Sequence, residues 1–235
     1  MDDLVHLKFR KQDFAVNNFA NQHANGDPHV ARFRNASTLA DGREIDVVLT
    51  SPEGELSQCS SSNNCDMSIN DYDVVNFKVA ASADTADYYK LRWTFEYSDG
   101  SGAATLPKVA LTFLDMGSKE FVAIDKAAVG PYWAGGRLNV ENDWGTGGWA
   151  TRFIASNPGS TLDDVTDPMA MSSTQQEGAL QVLFTARSSI DMMMGRRRSG
   201  YGCCTTIQAV GASNAGNLLM CPPTPPPSPP PPSPP

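Results

Sequence analysis

Short segments rich in β-branched and aromatic residues recur through the middle of this chain and restrict what it can fold into. The segments are REIDVVLTS, YDVVNFKVAAS, YKLRWTFEYS, PKVALTFLD, EFVAID, TRFIAS, ALQVLFTAR and CTTIQAVGA. Many alternate apolar with polar residues, and Gly, Asn, Asp, Ser and Pro separate them, which is typical of strands joined by turns. About eight to ten such strands predict an all-β fold, an antiparallel β-sandwich or jelly roll.

Helical periodicity is scarce in this sequence. The best candidate is SSTQQEGAL, in which Ser173 and Gln176 have capping-box spacing, and it predicts a helix of no more than about two turns. The links SDGSGAATLP, WAGGRLNVENDWGTGGW and SNPGSTLDDVTDP are rich in glycine and polar residues and are predicted to be loops.

The composition along the chain predicts three parts. Residues 1–30 are mixed and polar and are predicted to form an N-terminal arm or an irregular edge. No linker interrupts residues 31–221, which are predicted to form one β-sandwich domain. Residues 222–235 contain eleven of the 17 prolines. Because proline fixes φ and lacks an N–H group, this segment is predicted to be a polyproline II rod, roughly 40 Å long.

The net charge of −8 restricts the kinds of molecule that this protein is expected to bind. It argues against nucleic acid, since phosphate binding needs a basic surface. It is compatible with cations, neutral sugars and basic proteins. No window approaches the run of about 18 apolar residues that a membrane helix needs, so no transmembrane segment is predicted.

The five cysteines predict an oxidised protein. Cys59 and Cys65 bracket a polar loop, as in a small disulfide loop. Cys203 and Cys204 are adjacent and would pair elsewhere, one of them with Cys221. An odd number leaves one thiol free or bridges two chains into a homo-oligomer. The alternative is a set of ordinary buried thiols.

The first residues, MDDLVHLKFRKQDFAVNNF, do not resemble a secretory signal, because acids replace the basic n-region and no apolar h-region follows. Two expectations therefore stand: the protein is cytosolic, or a signal lies outside this sequence. The cysteines favour the second, which places the protein outside the cell.

The proline-rich segment resembles a known family. Ser228 to Pro232 and Ser233 to Pro235 are Ser-Pro-n repeats. They resemble the extensin-like modules of hydroxyproline-rich glycoproteins in plants and green algae, including volvocine cell-wall proteins such as the pherophorins. The resemblance implies a cell-wall, matrix or flagellar-surface location, with hydroxylation or O-glycosylation of the repeat. The residues concerned are Pro226, Pro227, Ser228, Pro229, Pro230, Pro231, Pro232, Ser233 and Pro234.

The predicted sandwich domain carries a second resemblance. NASTLADGREIDVVLTS, followed by VALTFLDMGSKEFVAID, looks like an extracellular sandwich module that recurs in secreted proteins of algae and other protists. The resemblance implies a surface or matrix module whose partners are other glycoproteins and glycans, and it carries no catalytic residues over.

Aspartates concentrate in the stretch DDVTDP. This stretch contains Asp163, Asp164 and Asp167, and Asp115 ends a predicted strand. Calcium prefers hard oxygen ligands at the loop tips of a rigid scaffold, so these four residues form the best candidate for a calcium site. Calcium is the one cofactor that the sequence suggests. The alternative is that these aspartates form turns and caps.

Three tryptophans among glycines predict a carbohydrate-binding site. Trp133 lies in YWAGG, and Trp144 and Trp149 lie in NDWGTGGW beside Asn142. An indole face packs on the apolar face of a pyranose ring, and an asparagine can hydrogen-bond to its hydroxyl groups. The alternative is that these rings close one end of the sandwich core, because tryptophan is usually largely buried.

Two short motifs complete the candidate sites. Asn35 begins the sequon NAS and is predicted to carry an N-linked glycan. The run RRR at residues 196–198 follows DMMMG and is predicted to be a solvated loop. Docking of an acidic glycan or an acidic neighbour is the alternative for this run.

The sequence offers little enzyme chemistry. The three histidines, His6, His23 and His29, fall outside the predicted sandwich, and no GxSxG, HExxH, P-loop or dinucleotide-binding motif appears. We therefore predict a non-enzymatic, secreted structural glycoprotein. Its β-sandwich domain would make assembly or adhesion contacts, and its polyproline II rod would be a glycosylated spacer. Two alternatives stay open: a lectin-like, calcium-dependent carbohydrate-binding module, and a cytosolic β-domain whose tail is a polyproline ligand.

Overall fold

The computed structural model describes residues 3–18, 30–51, 66–69, 74–79, 87–117, 120–156, 167–196 and 205–211. Within these ranges, 15 strands form two sheets around one main core. The strands are β1 (Leu4–Val5), β2 (Phe14–Asn18), β3 (Val30–Thr38), β4 (Glu44–Thr50), β5 (Asp66–Ile69), β6 (Val75–Val79), β7 (Asp87–Tyr97), β8 (Leu106–Leu114), β9 (Glu120–Asp125), β10 (Tyr132–Ala134), β11 (Leu138–Trp144), β12 (Ala150–Ala155), β13 (Leu180–Arg187), β14 (Ser189–Arg196) and β15 (Thr205–Gly211). The predicted all-β fold, an antiparallel β-sandwich, is confirmed.

The seven-stranded sheet is built around β8. Its order is β10-β13-β8-β15-β6-β5, and β1 pairs with β8 off this path. The β1–β8 pairing is parallel and involves Lys108 and Val109, whereas β15 pairs antiparallel with residues 111–114 of the same strand. Residues 109–114 are all buried, as expected of a central strand.

The eight-stranded sheet has the order β11-β12-β9-β14-β7-β4-β3-β2, with antiparallel pairing throughout. Successive side chains of a strand point to opposite faces. Val122 and Ile124 of β9 therefore lie in the main core, whereas Phe121 and Ala123 lie in a separate cluster on the other face. The outer face of this sheet thus carries apolar side chains of its own.

The main core is dominated by aromatic rings. Trp93 of β7 is fully buried. Its ring centroid lies 5.6 Å from that of Phe9 and 6.1 Å from that of Phe77, so rings from both sheets and from the N-terminal segment meet at one point. Aromatic pairs at these distances add to the stabilisation that burial alone provides.

The N-terminal residues belong to the sandwich, which differs from the arm predicted over residues 1–30. Strand β1 joins the seven-stranded sheet and β2 joins the eight-stranded sheet. Along this segment, the side chains of Val5, Leu7 and Phe9 are buried in the core. The alternation in VHLKF is a strand pattern, and the polar residues that follow it concealed this pattern in the sequence.

Two predicted loops contain strands. The link WAGGRLNVENDWGTGGW holds β10 and β11, because its glycines form only the turns and LNV alternates as a strand does. The prediction of a solvated loop at the basic run is wrong for Arg196, which ends the central strand β14 and lies opposite Asp87 and Glu120. Met192 and Met194 of this strand fill the core. Arg197 and Arg198 lie outside the described residues.

The single predicted helix is present over Ser173–Glu177 and is designated α1. Its capping box lies one residue before the predicted pair: the N-cap is Ser172, which accepts a hydrogen bond from the backbone N–H of Gln175. Both serines have a glutamine three positions later, so the sequence contains the spacing twice. The start of the helix decides which pair is used.

Several predictions fall outside the described residues. These concern Cys59, Cys65, Cys203, Cys204 and Cys221, all of the prolines and serines of residues 222–235, and Asp163 and Asp164. The disulfides and the polyproline rod therefore stay predictions. Across the ranges that the structure describes, no helix has the length and hydropathy of a membrane span.

Candidate functional site

The hairpin of β11 and β12 forms one edge of the eight-stranded sheet and presents two tryptophans on its outer face. The pairing register shifts between Glu141 and Trp144, where β11 contains a bulge. A bulge rotates the following side chain relative to the strand. Trp144 thereby packs against the outer cluster, together with Trp149 from the end of the turn.

Glycines make this turn possible. Gly145, Gly147 and Gly148 have φ values of +86°, +79° and +63°, a region that residues with a Cβ atom rarely adopt. At Gly145, a Cβ atom would lie 2.4 Å from Nε1 of Trp149. The indole of Trp149 therefore occupies the space that only a glycine leaves free. The sequence WGTGGW places the two indoles close together for this reason.

The outer cluster is a compact aromatic surface, which we name the tryptophan patch. Its members are Phe121, Glu141, Trp144, Trp149, Arg152, Ile154 and Met193. The ring centroids of Trp144 and Trp149 are 6.4 Å apart, and those of Phe121 and Trp144 are 5.5 Å apart. Phe121 is buried, while both tryptophans are half-buried and keep part of their surface in solvent.

Arg152 joins the rings to a carboxylate. Its guanidinium lies 4.8 Å from the centroid of Trp144 and 5.7 Å from that of Phe121. Its Nε donates a hydrogen bond to Oε2 of Glu141 at 3.1 Å, and its Nη2 donates to the same oxygen. The Arg152 side chain is nearly buried, whereas that of Glu141 is 41% exposed. Arginine thus holds an accessible carboxylate beside the aromatic rings.

The structure brings together two of the three predicted tryptophans. Asn142 adjoins them on β11, is exposed, and accepts a hydrogen bond from Oγ1 of Thr151 at 3.4 Å. Trp133 lies apart, because β10 belongs to the seven-stranded sheet. It packs against a different cluster, which contains Leu114 and Ala179. The predicted platform of three rings is therefore wrong in its third member.

Five members of the patch were not anticipated from the sequence: Phe121, Glu141, Arg152, Ile154 and Met193. Phe121, Arg152 and Ile154 lie in EFVAID and TRFIAS, which were predicted to be strands, so a signal for side chains on two opposite faces was present there. The sequence does not reveal that β9 and β12 are neighbours, which is the fact that brings Phe121 and Arg152 together.

The predicted calcium ligands are only partly described. Asp115 is buried at the end of β8 in a left-handed conformation with φ of +57°. Asp167 accepts a hydrogen bond at its backbone oxygen from Ala170, at the start of a short 3₁₀ helix. Among the described residues, no group of three or more His, Cys, Asp or Glu side chains could hold a metal ion. Calcium binding through residues 163–167 stays a prediction.

The predicted glycosylation site lies at a distortion in β3. The pairing register with β4 shifts between Phe33 and Ser37, and Asn35 within this interval has φ of +50°. Its backbone N–H donates a hydrogen bond to Oδ1 of Asp46 at 3.0 Å. Asn35 is nevertheless exposed to solvent. The sequon is thus accessible on the surface of the sandwich.

Comparisons with known proteins leave the chain without a family. No family model matches it, and no curated protein matches it. Among solved structures, it is similar to the N-terminal domain of the Streptococcus gordonii adhesin Sgo0707, with 12% sequence identity and a TM-score of 0.46. The similarity covers 79% of this chain and 46% of that chain, so this chain spans about half the length of that structure.

Proposed function

We propose that this chain is a module of a cell-exterior protein and that its β-sandwich makes adhesion or assembly contacts with glycans through the tryptophan patch. The observation that carries the proposal is the pair of half-buried indoles held on the outer face of the eight-stranded sheet. The proposal assigns the chain no catalytic role.

The chemistry of the patch suits a sugar ring. The C–H face of a pyranose is apolar and packs on an indole, while its hydroxyl groups need polar partners nearby. Glu141 offers an exposed carboxylate oxygen as a hydrogen-bond acceptor, whereas the Asn142 side chain is bonded to Thr151, whose partner Ile124 lies in the main core. Arg152 is nearly buried beneath the rings and fixes Glu141, so its role is to position the carboxylate.

The location of the protein rests on its sequence. The Ser-Pro-n repeats resemble those of hydroxyproline-rich glycoproteins, and they support an extracellular wall, matrix or flagellar surface as the site of action. In this proposal the proline-rich segment is a stiff, glycosylated spacer that holds the sandwich away from the surface to which it belongs.

Replacing Trp144 by alanine is expected to weaken glycan binding about fivefold, since one aromatic contact contributes roughly 1 kcal/mol. The measurement is a glycan array, followed by titration calorimetry with the best ligand. Trp133→Ala is the matched control, because Trp133 is also half-buried but lies on the other sheet. The proposal fails if no glycan binds, or if both variants lose affinity equally. Repeating the array with EDTA tests whether calcium takes part.

Mass spectrometry of the protein from its native source is expected to show hydroxyproline with attached pentose or hexose in residues 226–234. It is also expected to show glycan on Asn35 and oxidised cysteines. The physical reason is that these modifications are made along the secretory route, where disulfides persist. Unmodified prolines with reduced thiols would instead indicate a cytosolic protein whose tail is a polyproline ligand.

A further inference from the structure

A surface groove of about 710 Å³ lies beside the N-terminal segment, on the side that faces away from the core. Residues of the ranges 3–10 and 35–41 line it, together with Pro107. The groove is thus formed by the N-terminal segment, the distorted part of β3 and the turn that follows. Its volume is in the range of about 300–1,000 Å³ that is typical of ligand sites, and it exceeds the need of a single small ion.

The alternation of the N-terminal segment aims its basic side chains at this groove. Because Val5, Leu7 and Phe9 are buried in the core, the residues that alternate with them face outward. His6, Lys8 and Arg10 of this outward set line the groove. The backbone N–H of Lys8 donates to the carbonyl oxygen of Ala36 at 2.8 Å and holds the segment against β3.

The acids of the groove are occupied by other partners. Nε of Arg43 donates a hydrogen bond to Oδ2 of Asp41 at 2.7 Å, and this bond lowers the pKa of the Asp41 carboxyl. Oδ2 of Asp3 lies 3.8 Å from Nζ of Lys108 and forms an ion pair with it.

Among the groove's basic residues, Arg10 is paired with Asp13. In the part of the chain that the structure describes, no ion pair of Lys8 is present. Among the described residues, the ammonium group of Lys8 therefore faces the groove without a counter-charge, in a protein whose net charge is −8.

We propose that this groove binds an acidic polysaccharide, with Lys8 pairing with a carboxylate or sulfate group. Ser37 and Thr38 line the same groove and supply hydroxyl groups for the sugar hydroxyls. A peptide strand is disfavoured at this point, because the Lys8 N–H and the Ala36 carbonyl are already bonded to each other and are not free to pair with it. The site is separate from the tryptophan patch and does not depend on it.

The test is binding of the full chain, produced without N-glycosylation, to two acidic polysaccharides: polygalacturonate for carboxylates and dextran sulfate for sulfates. Neutral dextran and poly-glutamate are the controls. We expect binding to at least one of the acidic polysaccharides and not to dextran, with an affinity that falls as salt rises. Lys8→Glu is expected to weaken it about tenfold, since it replaces attraction by repulsion. Which of the two polysaccharides binds identifies the anionic group.

Lys11→Glu is the matched control variant. It makes the same change of charge three residues away, at an exposed position that does not line the groove. Equal loss of affinity in the two variants would overturn the proposal, because it would indicate attraction to overall charge. Absence of binding to both acidic polysaccharides, or equally tight binding of poly-glutamate, would also overturn it. Trp144→Ala should leave this affinity unchanged, so failure of this proposal and failure of the glycan patch are distinguishable.

Discussion

Replacing Phe9 by alanine is expected to destabilise the sandwich by about 3–5 kcal/mol, the usual cost of truncating a buried aromatic side chain. Phe9 is fully buried. Its ring centroid lies 5.0 Å from that of Phe33 and 5.6 Å from that of Trp93. The substitution removes the side chain that joins the N-terminal segment to the centre of the core, and the surrounding strands cannot close the cavity completely.

The measurement is urea unfolding monitored by tryptophan fluorescence, to which the buried Trp93 and the chain's three other tryptophans all contribute. Lys11→Ala is the control, because Lys11 is exposed on the same segment. A variant of Phe9 that unfolds at the same urea concentration as the parent would show that residues 4–10 are not part of the folded core. The domain would then begin at β3, as the polar composition of residues 1–30 suggested.

The strands that sequence analysis found have a common physical signature. EFVAID and TRFIAS are rich in β-branched and aromatic residues, and they became β9 and β12 within one residue of their predicted limits. Strand β14 was missed because its SIDMMMGR sequence contains three methionines and a glycine, which have little intrinsic preference for a strand. Its position between β7 and β9 overrides that preference, since both neighbours supply hydrogen bonds.

The site was harder to predict than the fold, for a topological reason. Trp133 and Trp144 are close in sequence and share a glycine-rich surrounding, which suggested one platform. The chain passes from the seven-stranded sheet to the eight-stranded sheet between β10 and β11, so the two rings separate. Arg152 joins Trp144 only because β11 and β12 form a hairpin. Residue types predict what a site can bind, whereas strand order decides which residues form it.

The hydrogen-bond network around Asp46 is a second feature that residue types alone do not predict. Nothing in EIDVVLT marks this aspartate as more than an alternating polar residue. In the structure it is buried and is bonded by three groups. Oδ1 accepts hydrogen bonds from the hydroxyl of Ser98 at 2.6 Å and from the backbone N–H of Asn35 at 3.0 Å, while Oδ2 accepts one from Arg32 at 2.8 Å. One carboxylate thus ties the distorted part of β3 to β4 and to the end of β7.

Replacing Asp46 by asparagine is expected to destabilise the domain by about 2–3 kcal/mol at pH 7, because hydrogen bonds to a charged group are among the strong ones. Asparagine keeps the size of the side chain but loses the charge, and its amide group can replace only one of the two accepting oxygens. Arg32 keeps a second partner in Glu96, at 2.6 Å, which limits the loss. Asp191→Asn is the control: that aspartate pairs with Arg92 on the same sheet, but its side chain is 47% exposed, so little stability should be lost.

The pH dependence of stability provides an independent readout of this network. Burial raises the pKa of Asp46, but the hydrogen bonds from Ser98, Asn35 and Arg32 and the charge of Arg32 outweigh burial, and the pKa lies below its ordinary value. The unfolded chain then binds a proton at higher pH than the folded one. The stabilisation is therefore complete above about pH 4 and is lost as the pH falls through the folded-state pKa. Urea unfolding between pH 7 and pH 2 should show a shallower acid-induced loss in Asp46→Asn than in the parent. Equal slopes would mean that Asp46 carries no net stabilising charge in the fold.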